Sequence, residues 1–258
     1  MPRIFDFTQA IMRRPGPSVV KGLRAGGGAD PSFDGVLREH SAYAAALAAA
    51  GLGVTMLGPL EDYPDAIFVE DPALVFPEAA ILLNPGAPSR AGEGAYLRPA
   101  LAAQFNQVLE LGDGHADGGD VLVLPGRILI GLSARTDRTG AEALAGLLEG
   151  LGRPAQVVET PRGVLHQKTA SSLIDEETVL ASPALAATGV FAGLRVLEVP
   201  PGEEAGANVL RINDVLIVGA GYPRLHDLLD GYGARLVPLE NTEIAKIDAG
   251  FTCMSLRW

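Results

Sequence analysis

The chain has 258 residues, enough to bury a core without disulfides or structural metals. Its net charge of −11, with no basic run to offset it, repels phosphate backbones and excludes nucleic acid as a partner. A single cysteine forbids an intrachain disulfide and points to a reducing, cytoplasmic setting. The start of the chain lacks the apolar core of a signal peptide, and no apolar stretch is long enough to span a membrane, so no membrane contact is expected.

In chain order, the first apolar segment, residues 4–12, reads as a strand with no local partner. A glycine run at 26–28 reads as a flexible loop, and Ala-rich residues 34–50, closing on Gly51, read as a helix followed by a strand at 54–56. Residues 67–84 read as strand, Pro-containing turn, strand, with Glu70 and Asp71 inside the first strand. Three further hairpins follow at 119–132, 170–181 and 207–219, turning at Pro125-Gly126, an acidic turn and Asn213-Asp214. Helical patterns occupy 93–106, 138–151 and 223–230, and single strands 108–111, 156–158 and 236–238. The last strand, 249–256, again lacks a local partner. An exposed lone edge is a liability, and pairing the first strand with the last closes a fifth hairpin-helix-strand unit. The expectation is an α/β fold: one domain, residues 1–258, built as a five-bladed α/β propeller around a central channel.

Several residues could carry chemistry. Cys253, in FTCMS, is a nucleophile if a base and a charge accompany it. Of four histidines, His40 and His226 sit in helical patterns with charged neighbours and read as surface, and His115 lies in a Gly/Asp loop. His166 alone ends an apolar turn before a strand, where an acid/base would sit. Asp117, in DGGD, could orient that histidine. Asp65, Glu70 and Asp71 surround an apolar core that includes Phe68; carboxylates there need a partner, and a guanidinium matches them. Arg90 and Arg135 follow successive hairpins and could clamp a carboxylate. No ligand set has recognisable metal spacing, so no metal and no cofactor is expected.

In order along nearly the whole chain, the motifs DAIFVED, NPGAPSR, DGGDVLV, GLSARTD, GVLHQK and EIAKIDAGFTCMS resemble the dimethylarginine dimethylaminohydrolases of the amidinotransferase superfamily. The resemblance implies the five-bladed pentein propeller. It implies hydrolysis of methylated arginine to citrulline and an amine through a covalent thiouronium, without cofactor, by a monomer or homodimer that takes a small-molecule substrate. By motif, Cys253 is the nucleophile, His166 the acid/base and Asp117 its orienting acid. Glu70 and Asp71 bind the guanidinium, with Asp65 and the Ile247 carbonyl near the substrate amino end. Arg90 and Arg135 hold the carboxylate, Phe68 lines the pocket and Leu23 matches a mobile lid residue.

There are departures. Asp117 stands where superfamily relatives carry Glu; Lys168 replaces the Asp that deiminases and amidinotransferases place two residues after the histidine. Gln167 is polar at an apolar position, and Met254 replaces a second cysteine of some animal members. The alternatives are an arginine deiminase or amidinotransferase of the same superfamily, a non-catalytic propeller that binds a partner, and a Mg-dependent hydrolase using the Asp clusters. A Cys-His-Asp set argues against the non-catalytic reading.

Overall fold

A computed structural model describes residues 3–26 and 28–258. Gly27, at the centre of the expected glycine loop, lies outside the described residues, as do Met1 and Pro2. The chain runs β1 (Gln9–Arg13), α1 (Phe33–Ala49), β2 (Gly53–Leu57), β3 (Ala73–Phe76) and β4 (Ala79–Leu82). It continues through α2 (Arg98–Gln104), β5 (Val108–Glu110), β6 (Val121–Leu124), β7 (Arg127–Leu132), α3 (Arg138–Gly150) and β8 (Ala155–Glu159). The last part comprises β9 (Ser171–Leu173), β10 (Thr178–Ala181), α4 (Pro183–Ala186), β11 (Arg195–Glu198), β12 (Leu210–Ile212), β13 (Val215–Gly219), α5 (Pro223–Leu229), β14 (Arg235–Leu239) and β15 (Leu256–Arg257).

These strands form five three-stranded sheets of one design. An antiparallel hairpin leads into a helix, and the helix returns a third strand parallel to the second strand of the hairpin. The fifth sheet joins the chain ends: β15 pairs antiparallel with β1, and β2 lies parallel to β1. The first strand of each hairpin (β3, β6, β9, β12 and β15) lines a shared central cavity. The architecture is the expected five-unit α/β propeller.

Local chemistry explains the units. Ser32 and Asp137 cap α1 and α3, their side chains accepting from Gly35 N at 3.3 Å and Gly140 N at 2.7 Å. On α3, Ala141, Leu144 and Leu148 repeat at helical spacing and bury against Ile128 and Ile130 of β7. Asn213, at φ 49, makes the tight turn between β12 and β13, a conformation that asparagine tolerates.

The structure departs from expectation in three places. Residues 67–71 form turns and not a strand, because the Asp65 and Phe68 carbonyls fold back to accept from Phe68 N and Asp71 N. Only Leu256–Arg257 of the expected last strand pairs; Thr252–Met254 is a 3-10 turn, entered through Asp248 at φ 55. His40 is buried at 2% exposure, and burial pushes its pKa down to about 4. A neutral imidazole suits this buried place on α1, where a surface residue was expected.

Candidate active site

Loops from across the chain converge on one small cavity of about 40 Å³. It is lined by Leu23, Asp65, Phe68, Asp71, Arg90, Asp117, Arg135, His166, Ile247 and Cys253, so ten of the eleven residues singled out in the sequence meet there. Glu70 does not: it lines the larger cavity on the other side of the Cys253 turn.

His166 is buried, and its Nε2 lies 3.2 Å from Asp117 Oδ2. The other Asp117 oxygen accepts from Gly86 N at 2.7 Å, so the shorter Asp side chain still reaches the histidine. Burial opposes protonation of His166, but the Asp117 hydrogen bond and the carboxylates of Asp71 and Asp120 outweigh it and raise the pKa to about 9. The close fit depends on Gly119: a Cβ there would stand 2.7 Å from His166 Nδ1 and 2.9 Å from Asp71 Oδ1.

Cys253 sits in the middle of its 3-10 turn, which long-range contacts fix from both sides. Asn208 Oδ1 accepts from Thr252 N at 3.1 Å, while Asn208 Nδ2 donates to Thr252 Oγ1 and to the Lys168 carbonyl. Arg257 Nη1 donates to the carbonyls of Thr252 and Ser255. Glu70 N donates to the Cys253 carbonyl at 3.1 Å. Burial, with Asp71 and Glu70 nearby, pushes the Cys253 thiol up to about 12, so the free protein holds a neutral thiol.

Asp71 accepts from Arg90 Nη1 and, at 3.2 Å, from Gly119 N. Arg90 is itself buried and largely occupied. Its Nε and Nη2 grip Glu93 at 2.8 and 2.7 Å, and Nη2 also reaches the Phe68 carbonyl at 2.9 Å. Of its five N–H groups, a single Nη1 hydrogen stays free among the described residues. Arg135 makes no ion pair there, and its guanidinium is available. Asp65 Oδ1 accepts from Leu23 N at 2.9 Å, which ties the Leu23 loop over the cavity.

The sequence reading passed over Asp120. It is fully buried and accepts from Ser133 Oγ at 2.6 Å, Thr136 Oγ1 at 2.7 Å and Gln167 N at 3.0 Å. It thereby joins the Arg135 loop to the His166 loop. The signal available was a second acid behind two glycines, just before an apolar strand.

Donor atoms of Asp71, Asp117 and His166 lie within 4.8 Å of one another, the one cluster among the described residues with metal-ligand geometry. All four carboxylate oxygens of Asp71 and Asp117 already have hydrogen-bond partners, and a protonated His166 supplies the positive charge. Activity should therefore survive dialysis against EDTA. A loss that Mg or Mn restores would mean that the cluster holds a catalytic ion.

A family model described as arginine deiminase matches residues 100–199. The chain is 34% identical to an N(G),N(G)-dimethylarginine dimethylaminohydrolase of Pseudomonas aeruginosa, covering 98% of this chain and 100% of the relative. It is 35% identical to the enzyme of that name from Streptomyces coelicolor, covering 96% of each. A solved structure of the Pseudomonas aeruginosa protein, a mutant complexed with citrulline, superposes with a TM-score of 0.95 at 33% identity, over 98% of this chain and all of that one. With the five-unit fold and the Cys253-His166-Asp117 cavity in place, these likenesses show that the chain belongs to the dimethylarginine dimethylaminohydrolase family.

Proposed function

We propose that the chain, acting as a single hydrolase domain, converts Nω-methylated L-arginine (the asymmetric dimethyl and monomethyl forms) to L-citrulline and dimethylamine or methylamine. The observation that carries this reading is the meeting of Cys253, the His166–Asp117 pair and Asp71 in one cavity, beside Arg135, which makes no ion pair among the described residues.

The free protein holds the thiol and the imidazole in an unreactive pairing: a neutral Cys253 and a protonated His166. Burial and the nearby carboxylates hold the thiol up; a guanidinium entering beside Asp71 brings a positive charge next to the sulfur that favours the thiolate, and Cys253 loses its proton to solvent. Glu70, expected from its motif to be a second acceptor for the cation, lies across the wall paired with Lys168 and Arg257 and bears on Cys253 through its charge alone. The thiolate adds to the guanidinium carbon. His166 gives its proton to the departing amine, whose C–N bond breaks, and a thiouronium remains on Cys253. The neutral imidazole, held by Asp117, then takes a proton from water as that water attacks. Citrulline leaves, and the Cys253 sulfur and the His166 proton are restored.

Arg135 and the last N–H of Arg90 hold the substrate carboxylate, while Asp65 and the Ile247 carbonyl receive its amino group. Phe68 packs on its aliphatic stem. A cavity of 40 Å³ has room for little more than water. The Leu23 loop therefore swings aside to admit substrate, breaking its tie to Asp65, and closes over it. A reducing cytoplasm suits an enzyme whose one cysteine must stay free. No helix among the described residues is long and apolar enough to cross a membrane.

The arginine deiminase reading keeps the support of the match over residues 100–199. Against it, the position two after His166 holds Lys168, whose Nζ pairs with Glu70 at 2.7 Å and faces away from Cys253. An unmethylated guanidinium thus lacks an acceptor there.

Alkylation separates the two thiol states. The cation 2-chloroacetamidine should modify Cys253 at pH 7 at least about 10-fold faster than neutral iodoacetamide, with the adduct located by peptide mass spectrometry. The iodoacetamide rate should keep climbing with pH above 9, because the free thiol titrates near 12. Equal rates at pH 7, or a plateau below pH 8, would show that Cys253 is already a thiolate before a cation binds.

A further inference from the structure

The larger cavity lies behind the Cys253 turn. It measures about 360 Å³, within the range of small-molecule sites, whereas the catalytic cavity does not. Sequence neighbours face opposite ways across the wall between them. Asp71, Cys253 and His166 line the catalytic side; Glu70, Thr252 and Lys168 line the other. The two cavities therefore stand back to back along the propeller axis.

The rear cavity has apolar walls, made by the first strand of each hairpin, and a positive floor. Lys168 Nζ and Arg257 Nη2 share a single carboxylate oxygen, Glu70 Oε1, at 2.7 and 3.1 Å. Two cations thus meet one carboxylate, and Arg257 Nε is buried with no partner among the described residues. Arg211 adds a third cation. It is buried and makes no ion pair among the described residues; its Nε and Nη1 donate to the carbonyls of Asn213, Ile174 and Tyr232. At the rim, Arg3 and Arg153 are balanced by Asp6, Asp214 and Glu78. A buried excess of positive charge is costly unless an anion answers it.

We propose that this rear cavity is a second binding site, for a small carboxylate on an apolar body. The carboxylate would take the donors left on Lys168, Arg257 and Arg211, and the apolar body would lie against Val75, Val123 and Leu173. The proposal stands apart from the hydrolase reading, because it uses neither Cys253 nor His166.

Trp258, the one tryptophan of the chain, lines this cavity and reports on it. Benzoate is the probe and benzamide its uncharged counterpart, each titrated into the full-length protein while Trp258 fluorescence is followed. Benzoate should saturate with a Kd at or below about 1 mM, with benzamide at least about tenfold weaker. Val123→Glu puts a carboxylate on the half-buried wall, and Lys168→Met removes a floor cation; each should weaken benzoate by about tenfold or more. Arg135→Ala, on the catalytic side, should leave benzoate binding unchanged. Equal binding of benzoate and benzamide by the unmodified protein, or no saturable binding of either, overturns the proposal. So does wild-type benzoate affinity in a Val123→Glu or Lys168→Met protein with an unchanged circular dichroism spectrum, or loss of binding with Arg135→Ala.

Discussion

Replacing Cys253 with serine should lower kcat for asymmetric dimethylarginine by at least about 10³-fold while leaving the fold intact. A serine hydroxyl ionises far less readily than a thiol. Burial, with the carboxylates of Asp71 and Glu70, already pushes the thiol up to about 12, and the same surroundings oppose the anion of an oxygen nucleophile still more strongly. The substrate cation can offset that opposition for sulfur but not for a hydroxyl at neutral pH. The change is nearly isosteric, and the turn is held by Asn208, Arg257 and the Glu70 amide, none of which bonds to the sulfur. Citrulline formation and a thermal melt measured together check both halves. A Cys253→Ser protein that melts normally and keeps activity within about tenfold of the parent removes Cys253 from the nucleophile's role.

Arg90→Ala should cost stability as well as activity. Glu93 and Asp71 are buried at 2% and 5% exposure, and Arg90 is the ion-pair partner of both. Removing it leaves two carboxylates without their countercharge, a loss of about 3–5 kcal/mol for a buried network. In a chain of this size that lowers Tm by roughly 10 °C. The substitution also drops the Phe68 carbonyl and frees Asp71, which shapes the guanidinium position. Arg135→Ala is the contrast. Its guanidinium carries no structural load, so KM should rise with Tm unchanged. If Arg90→Ala melted like the parent and only raised KM, Arg90 would be a carboxylate clamp alone, as its motif position suggests.

The fold was legible where local chemistry decides it. The hairpins turning at Pro125-Gly126 and Asn213-Asp214 and the capped helices α1 and α3 stand within a few residues of their sequence patterns. Closure of the ring could be inferred because two apolar end segments had no partner but each other, and β1 does pair with β15. In the fourth unit, α4 spans four residues and β11 shows exposed ends around a short buried segment, too little for a periodic signal. The Cys253 turn looked like a strand because Phe251-Thr252-Cys253-Met254 is apolar and β-prone. Contacts from Asn208, distant in sequence, overrule that propensity.

The site was legible by residue type more than by role. Ten of the expected residues do converge, but no pattern in the sequence shows that Arg90 is consumed by Glu93 three residues on, although that spacing can support an ion pair. Nor does it show that Glu70 and Asp71 part company across the wall between the two cavities. Burial supplies the rest: the same desolvation that lowers His40 to about 4 is overcome at His166 by three nearby carboxylates.

The central claim, hydrolysis at a methylated guanidinium, is tested most directly by one assay. The purified protein is given arginine, monomethylarginine, and asymmetric and symmetric dimethylarginine, with citrulline and the released amine both quantified. Lys168, paired to Glu70, supplies no acceptor where an unmethylated nitrogen would need one, at a cost of about 1–3 kcal/mol per stranded donor. The account predicts that asymmetric dimethylarginine and monomethylarginine give citrulline with dimethylamine and methylamine, at kcat/KM about 10-fold or more above arginine. It predicts that the symmetric form is poor, since one of its methyls must face Asp71. Arginine turned over as well as the asymmetric dimethyl form, with ammonia as the amine released, would contradict it and identify a deiminase.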